Sequence, residues 1–100
     1  MTPPLLLRPE ATAEIQEAFG WYERQRPGLG GEFLQAVRET LRAIEHSPLQ
    51  YPKIRGQIRR ALLHRFPYSV LYVAEQERTV VFACFHGKRN PRHWQSRRWR

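Results

Sequence analysis

Ile58-Arg59-Arg60-Ala61-Leu62-Leu63-His64-Arg65-Phe66-Pro67-Tyr68-Ser69-Val70-Leu71-Tyr72-Val73 and, six residues later, Thr79-Val80-Val81-Phe82-Ala83-Cys84-Phe85-His86 are the runs that decide the fold. β-Branched and aromatic residues dominate both, the composition that suits a pleated, half-buried surface. Phe66-Pro67 interrupts the first run, and the polar Glu75-Gln76-Glu77-Arg78 separates it from the second. The pattern predicts three antiparallel strands joined by two short hairpins. Two-residue alternation would put Val80, Phe82, Cys84 and His86 on one face of the last strand. That strand empties into Gly87-Lys88-Arg89-Asn90-Pro91-Arg92-His93-Trp94.

Two helices are expected upstream. Pro4–Arg8 reads as a first strand at a sheet edge, and Pro9 suits the first position of a helix. Ala11, Ile15, Ala18, Phe19 and Tyr22 then recur on one helical face, and Pro27-Gly28 ends the helix. Leu29, Phe33, Val37, Leu41 and Ile44 form the stripe of a second helix, closed by Ser47-Pro48. The short connection makes these an antiparallel hairpin, and the sheet is what their stripes can cover. Leu49–Gln57 reads as a loop punctuated by Pro52 and Gly56. Pro91–Trp94 can open a terminal helical turn, with Gln95–Arg100 a frayed end. The expected class is α+β: a helical hairpin on an antiparallel sheet, with a short C-terminal turn or tail, in a single domain over residues 1–100.

Charge is unevenly spread along the 100 residues. Residues 1–50 hold five Arg against seven Glu, net −2, and residues 51–100 hold twelve Lys plus Arg against two Glu, net +10. Such asymmetry favours an anionic partner. The single cysteine, Cys84, allows no internal disulfide, and no Cys/His cluster suggests zinc, which fits a reducing cytoplasm. Leu5-Leu6-Leu7 is too short for a signal peptide or a membrane span. No cofactor or metal is expected.

Few patterns could carry chemistry. Gly28-Leu29-Gly30-Gly31 lacks the Gly-Lys-Ser/Thr ending of a P-loop and follows a helix, so it reads as a turn. Neither a Ser/His/Asp arrangement nor a two-carboxylate pair can be built from the second half. What remains is basic. Arg59, Arg60, His64, Arg65, Lys88, Arg89, Arg92 and His93 gather at strand ends and in the tail, where such residues can hold phosphate oxygens. Trp94 and Trp99 interleave with them, either as packing anchors or as stacking platforms for bases. His86 is either a partly buried histidine that fixes the strand end or a site histidine beside Lys88 and Arg89. In a nucleolytic site it would move a proton while the arginines stabilise charge on phosphate.

Several stretches taken together resemble the RelE/ParE toxin superfamily. They are Glu17-Ala18-Phe19-Gly20-Trp21-Tyr22-Glu23, Gly28-Leu29-Gly30 with Phe33, Ser47-Pro48 with Tyr51-Pro52, Ile58-Arg59-Arg60 and Phe66–Tyr72. The ending His86-x-x-Arg89-x-Pro91-x-x-Trp94 is similar to that of the plasmid-stabilisation branch. The resemblance implies the toxin of a type II toxin–antitoxin operon, neutralised by a cognate antitoxin. ParE-like members poison DNA gyrase and are not nucleases; RelE-like members cut mRNA on the ribosome. No tyrosine lies beyond Tyr72 and residues 51–74 hold no acid, which leans toward the ParE side. The expected target-binding residues are Arg59, Arg60, His86, Lys88, Arg89 and Trp94, with His86 and Arg89 the catalytic candidates should the chain be a ribonuclease. A plain nucleic-acid-binding module or an inactive relative is the third reading. A disordered partner segment is also expected to cover the sheet face left open by the helices.

Overall fold

The structure, a computed structural model, describes residues 4–97 and 99. The elements in order are β1 (Leu5–Leu7), α1 (Pro9–Gln25), α2 (Leu29–His46), β2 (Lys53–Arg55), β3 (Ile58–Leu62), β4 (Tyr68–Ala74), β5 (Thr79–His86) and α3 (Arg92–Gln95). The five strands form one sheet in the order β1-β5-β4-β3-β2. The fold is α+β, with the helical hairpin laid on the sheet as the apolar stripes demand.

Leu5–Leu7 takes the sheet edge expected of Pro4–Arg8, but its parallel pairing and the strand β2 at the other edge depart from the expected antiparallel sheet. β1 joins β5 in parallel, which the crossover through the two helices allows, while all the other pairings are antiparallel. β2 lies inside the expected Leu49–Gln57 loop and pairs with β3 across Gly56-Gln57. Its three residues, Lys-Ile-Arg, are all exposed and carry no alternation that a sequence pattern could register.

The alternation along β5 also breaks. Leu71 pairs with Ala83 but Tyr72 pairs with Val81, so Phe82 is an extra residue, a β-bulge. Phe82 therefore turns to the face opposite Cys84, with Leu71, Val73, Ala83 and Phe85. Val81 takes the helix-side place expected for Phe82 and joins Val70, Tyr72 and Cys84. His86 keeps company with Cys84, not with Val80 and Phe82.

The helix-side core is aromatic at one end. Tyr22 and Phe33 stack at 5.2 Å, and Phe66 packs on both at 5.0 and 5.4 Å. Phe33, Val37 and Ile44 are buried as their stripe predicts; Leu41 is only partly so. Tyr72 is buried at the other end, where its hydroxyl donates to the Pro48 carbonyl at 2.6 Å. Burial pushes that phenol up to about 12.

The glycine-rich turn proves to be an anion seat that the chain fills itself. Gly28 opens α2 with φ +93°, the left-handed region glycine tolerates. The Glu23 carboxylate, reaching over from α1, accepts the backbone N–H of Gly28 and of Gly30, both at 3.0 Å. It thereby caps a helix start that has no side-chain cap of its own. At Gly30 an added Cβ would lie 2.8 Å from the Phe19 carbonyl oxygen, so the close approach of the two helices requires glycine there.

The second sheet face is not left for a partner. Trp94 packs on Phe82 and Phe85, ring centroids 6.5 and 6.0 Å apart, and Trp99 adds to the same cluster. The C-terminal end is also tied down. Arg97 forms a fork with Glu14 of α1, both N···O distances 2.9 Å, and donates to the Phe82 carbonyl at 3.0 Å. Glu14 accepts the Cys84 N–H as well, at 3.0 Å. Beyond the reach of β1, the outer edge of β5 is thus satisfied by this ion pair. The end expected to fray from Gln95 is instead fixed through Arg97; Arg98 and Arg100 lie outside the described residues.

Candidate functional site at the end of β5

β5 runs past the end of β1, and α1 crosses beside it. Between them opens a groove of about 550 Å³. Its buried wall is made by Ala18 and Tyr22 of α1 with Cys84 and Phe85 of β5. Tyr68 and His86, paired across β4 and β5, form the end of the sheet side. Exposed side chains rim it: Glu17, Trp21 and Arg24 from α1, Lys88 and Arg89 from the turn after β5.

That turn is locally built. Its first amide, Gly87 N–H, bonds the Pro67 carbonyl, and Arg89 N–H bonds the His86 carbonyl. The Lys88 N–H donates to His86 Nδ1 at 3.0 Å. An acceptor Nδ1 carries no hydrogen, so in the neutral ring the hydrogen sits on Nε2 and that nitrogen is a donor. The ring meets Tyr68 edge-on at 5.2 Å. Burial, the largest cause, raises the Tyr68 phenol above its ordinary value, which keeps it neutral. Arg89 reaches Glu17 at 3.5 Å, an exposed pair. Under the groove, burial pushes the Cys84 thiol up to about 12, so it is not a thiolate nucleophile at neutral pH.

Three of the six expected site residues meet here: His86, Lys88 and Arg89. The other three do not. Arg59 pairs with Tyr72 while His86 pairs with Tyr68, and two strand spacings separate β3 from β5. That places Arg59 about 13 Å along the sheet and about 10 Å across it from His86. Its guanidinium instead holds the carbonyls of Leu49 and Tyr51, at 3.2 and 2.6 Å. Arg60, the next residue of β3, faces the opposite side with Leu71. Trp94 is 4% exposed, so it cannot present a ring for stacking. Glu17, Trp21, Arg24 and Tyr68 belong to the groove and were missed. An exposed tryptophan within a helix whose other aromatics face inward was the available signal. Among the described residues no group of three side chains could hold a metal ion, and no helix is long and apolar enough to cross a membrane.

The shape has a counterpart among solved structures. One chain of the "Chromosomal ParDE TA system from P. aeruginosa" superposes with a TM-score of 0.76 at 16% identity, over 85% of this chain and 96% of that one. It has the same fold. The profile of the family described as ParE toxin of type II toxin-antitoxin system, parDE, matches residues 5–91, and the chain belongs to that family. No curated protein matches it in sequence at a significant level.

Proposed function

We propose that this ParE-family toxin inhibits growth in the cytoplasm by binding DNA gyrase through the groove at the end of β5, and that a cognate antitoxin neutralises it. The chain would act as one domain, with Lys88 and Arg89 as the principal contacts and His86 setting their turn. The observation that carries the reading is the hydrogen bond from Lys88 N–H to His86 Nδ1. It leaves the neutral imidazole with a donor, not a base, at its other ring nitrogen. The Tyr68 phenol is held neutral, and Glu17 is engaged by Arg89. A cluster so arranged binds anions better than it takes a proton from a 2′-hydroxyl. Acidic residues of the antitoxin would find the same cations.

The test is a plasmid cleavage assay with purified gyrase. Wild-type toxin should accumulate cleaved DNA complexes. Arg89→Ala should lower that accumulation at least several-fold. His86→Gln, which still offers an acceptor to the Lys88 amide, should change it little. Ribosomal mRNA cleavage predicts the reverse: no cleaved DNA, and translation arrest weakened by roughly 10²–10⁴ in rate on His86→Gln. Purified toxin should also melt at a higher temperature with a saturating excess of the antitoxin encoded beside it.

A further inference from the structure

Trp21 is a large apolar side chain left half in solvent, 50% exposed, on a protein that buries its other helix-borne aromatics far better. It stands edge-on to Tyr22 at 5.1 Å, on the rim of a groove whose opposite side is Tyr68 and His86. The two acids nearby are already engaged: Glu14 by Arg97 and the Cys84 amide, Glu17 by Arg89. Arg24 and Lys88 have no ion pair among the described residues. Aromatic rings interleaved with unpaired cations stack bases and hold their phosphates. A groove of about 550 Å³ is the size of small-molecule sites.

We infer that the groove seats one unpaired nucleotide of a single strand, its base against Trp21 and its phosphate on Lys88 and Arg24, with the His86 Nε2–H as a donor to the base edge. A base within a duplex has both faces covered by its neighbours, so only an unpaired or extruded one fits. The inference rests on the reading of this groove as the toxic site, and it names DNA freed from pairing, as at a cleaved gate, as part of what the toxin grips.

The experiment measures fluorescence anisotropy of end-labelled (dT)8, (U)8 and an eight-base-pair duplex with the full chain. Binding of either single strand at least tenfold tighter than the duplex is expected, and the ratio of the two assigns the groove to deoxyribo- or ribonucleotides. Trp21→Ala should weaken single-strand binding about 5- to 100-fold, the worth of one base stack, and Trp21→Phe should restore part of it. Lys88→Ala should weaken binding and flatten its salt dependence by about one unit of slope. Equal binding of duplex and single strand, or Trp21→Ala binding as wild type does, overturns the inference. So does Trp21-dependent binding of an acidic peptide such as (Glu-Leu)4 with no binding of (dT)8 or (U)8, which would assign the groove to a protein segment. If wild-type toxin traps gyrase yet binds no single strand, the nucleotide seat falls and the gyrase reading stands. If it binds the strand and leaves gyrase untouched, the gyrase reading alone falls.

Discussion

On one side of the sheet α1 and α2 bring down Ala11, Ile15, Ala18, Tyr22, Phe33, Val37 and Ile44 onto Val70, Tyr72, Val81 and Cys84. On the other side Trp94, on a helix of four residues, is among the described residues the one fully buried non-strand side chain over Leu71, Phe82 and Phe85, with Trp99 partly buried against the same cluster. The first closure is spread over many contacts and two long helices that brace each other. The second rests on the Trp94 indole, the partly buried Trp99 and one ion pair, Glu14–Arg97. Spread contacts fail together, as global unfolding; a closure with few anchors can open by itself.

Phe33→Ala tests the first side and should have the largest effect. The ring is fully buried against Tyr22, Phe66 and Tyr68, so its loss should cost about 3–5 kcal/mol. Denaturant unfolding should keep its slope and shift its midpoint. Trp94→Ala should cost less, about 3 kcal/mol, because the short segment can detach and hydrate in place of leaving a sealed cavity. Hydrogen exchange should speed up at residues 92–97 and leave the helix-side amides protected. Equal acceleration on both faces would contradict the contrast. Trp94→Phe should cost less again, since the buried indole N–H has no partner among the described residues to lose.

Arg97→Ala comes next, at about 1–3 kcal/mol. Glu14 and Arg97 are mostly buried, with 12% and 18% of their side chains exposed, so removing the cation strands a carboxylate that, among the described residues, keeps the Cys84 amide alone. Arg97→Lys should rescue little, because one ammonium cannot supply the fork to Glu14 and the bond to Phe82 together. Full stability of Arg97→Lys would show that charge alone closes this edge.

The helix side was legible because its signals are periodic. Phe33, Val37 and Ile44 repeat with the turn of a helix, and Val70, Tyr72 and Cys84 alternate with the pleat. The other side was not, for reasons that live in single residues. The bulge at Phe82 moves one phenylalanine across the sheet, and no composition marks it. Arg97 lies 83 residues from Glu14, and nothing local announces that they meet. The candidate site was half readable: His86, Lys88 and Arg89 sit together in sequence and in space. Trp21, Arg24 and Tyr68 reach the groove only through the packing of α1 beside β5. Arg59 and Arg60 were grouped with them by charge, and the sheet keeps them apart.

The smallest effect expected belongs to Glu32, which ties the start of α2 to the β3–β4 connection on the surface of the well-covered side. Its carboxylate pairs with Arg65 at 3.0 Å and Arg26 at 3.1 Å. Bonds from Arg65, then Arg26, hold its pKa below the ordinary 4.5. A group with a folded pKa below its unfolded one adds stability above the unfolded value and loses it as pH falls through the folded pKa. Glu32→Gln should therefore lower the melting temperature slightly at pH 6.5, and the gap to wild type should close below pH 4.5. Because the pair is exposed, 1 M salt should shrink the same gap at pH 6.5. The Glu14–Arg97 pair, shielded from water, should lose much less of its effect to salt. A Glu32 gap that ignores both pH and salt would mean that the side chain acts through packing at the helix start, not through its charge.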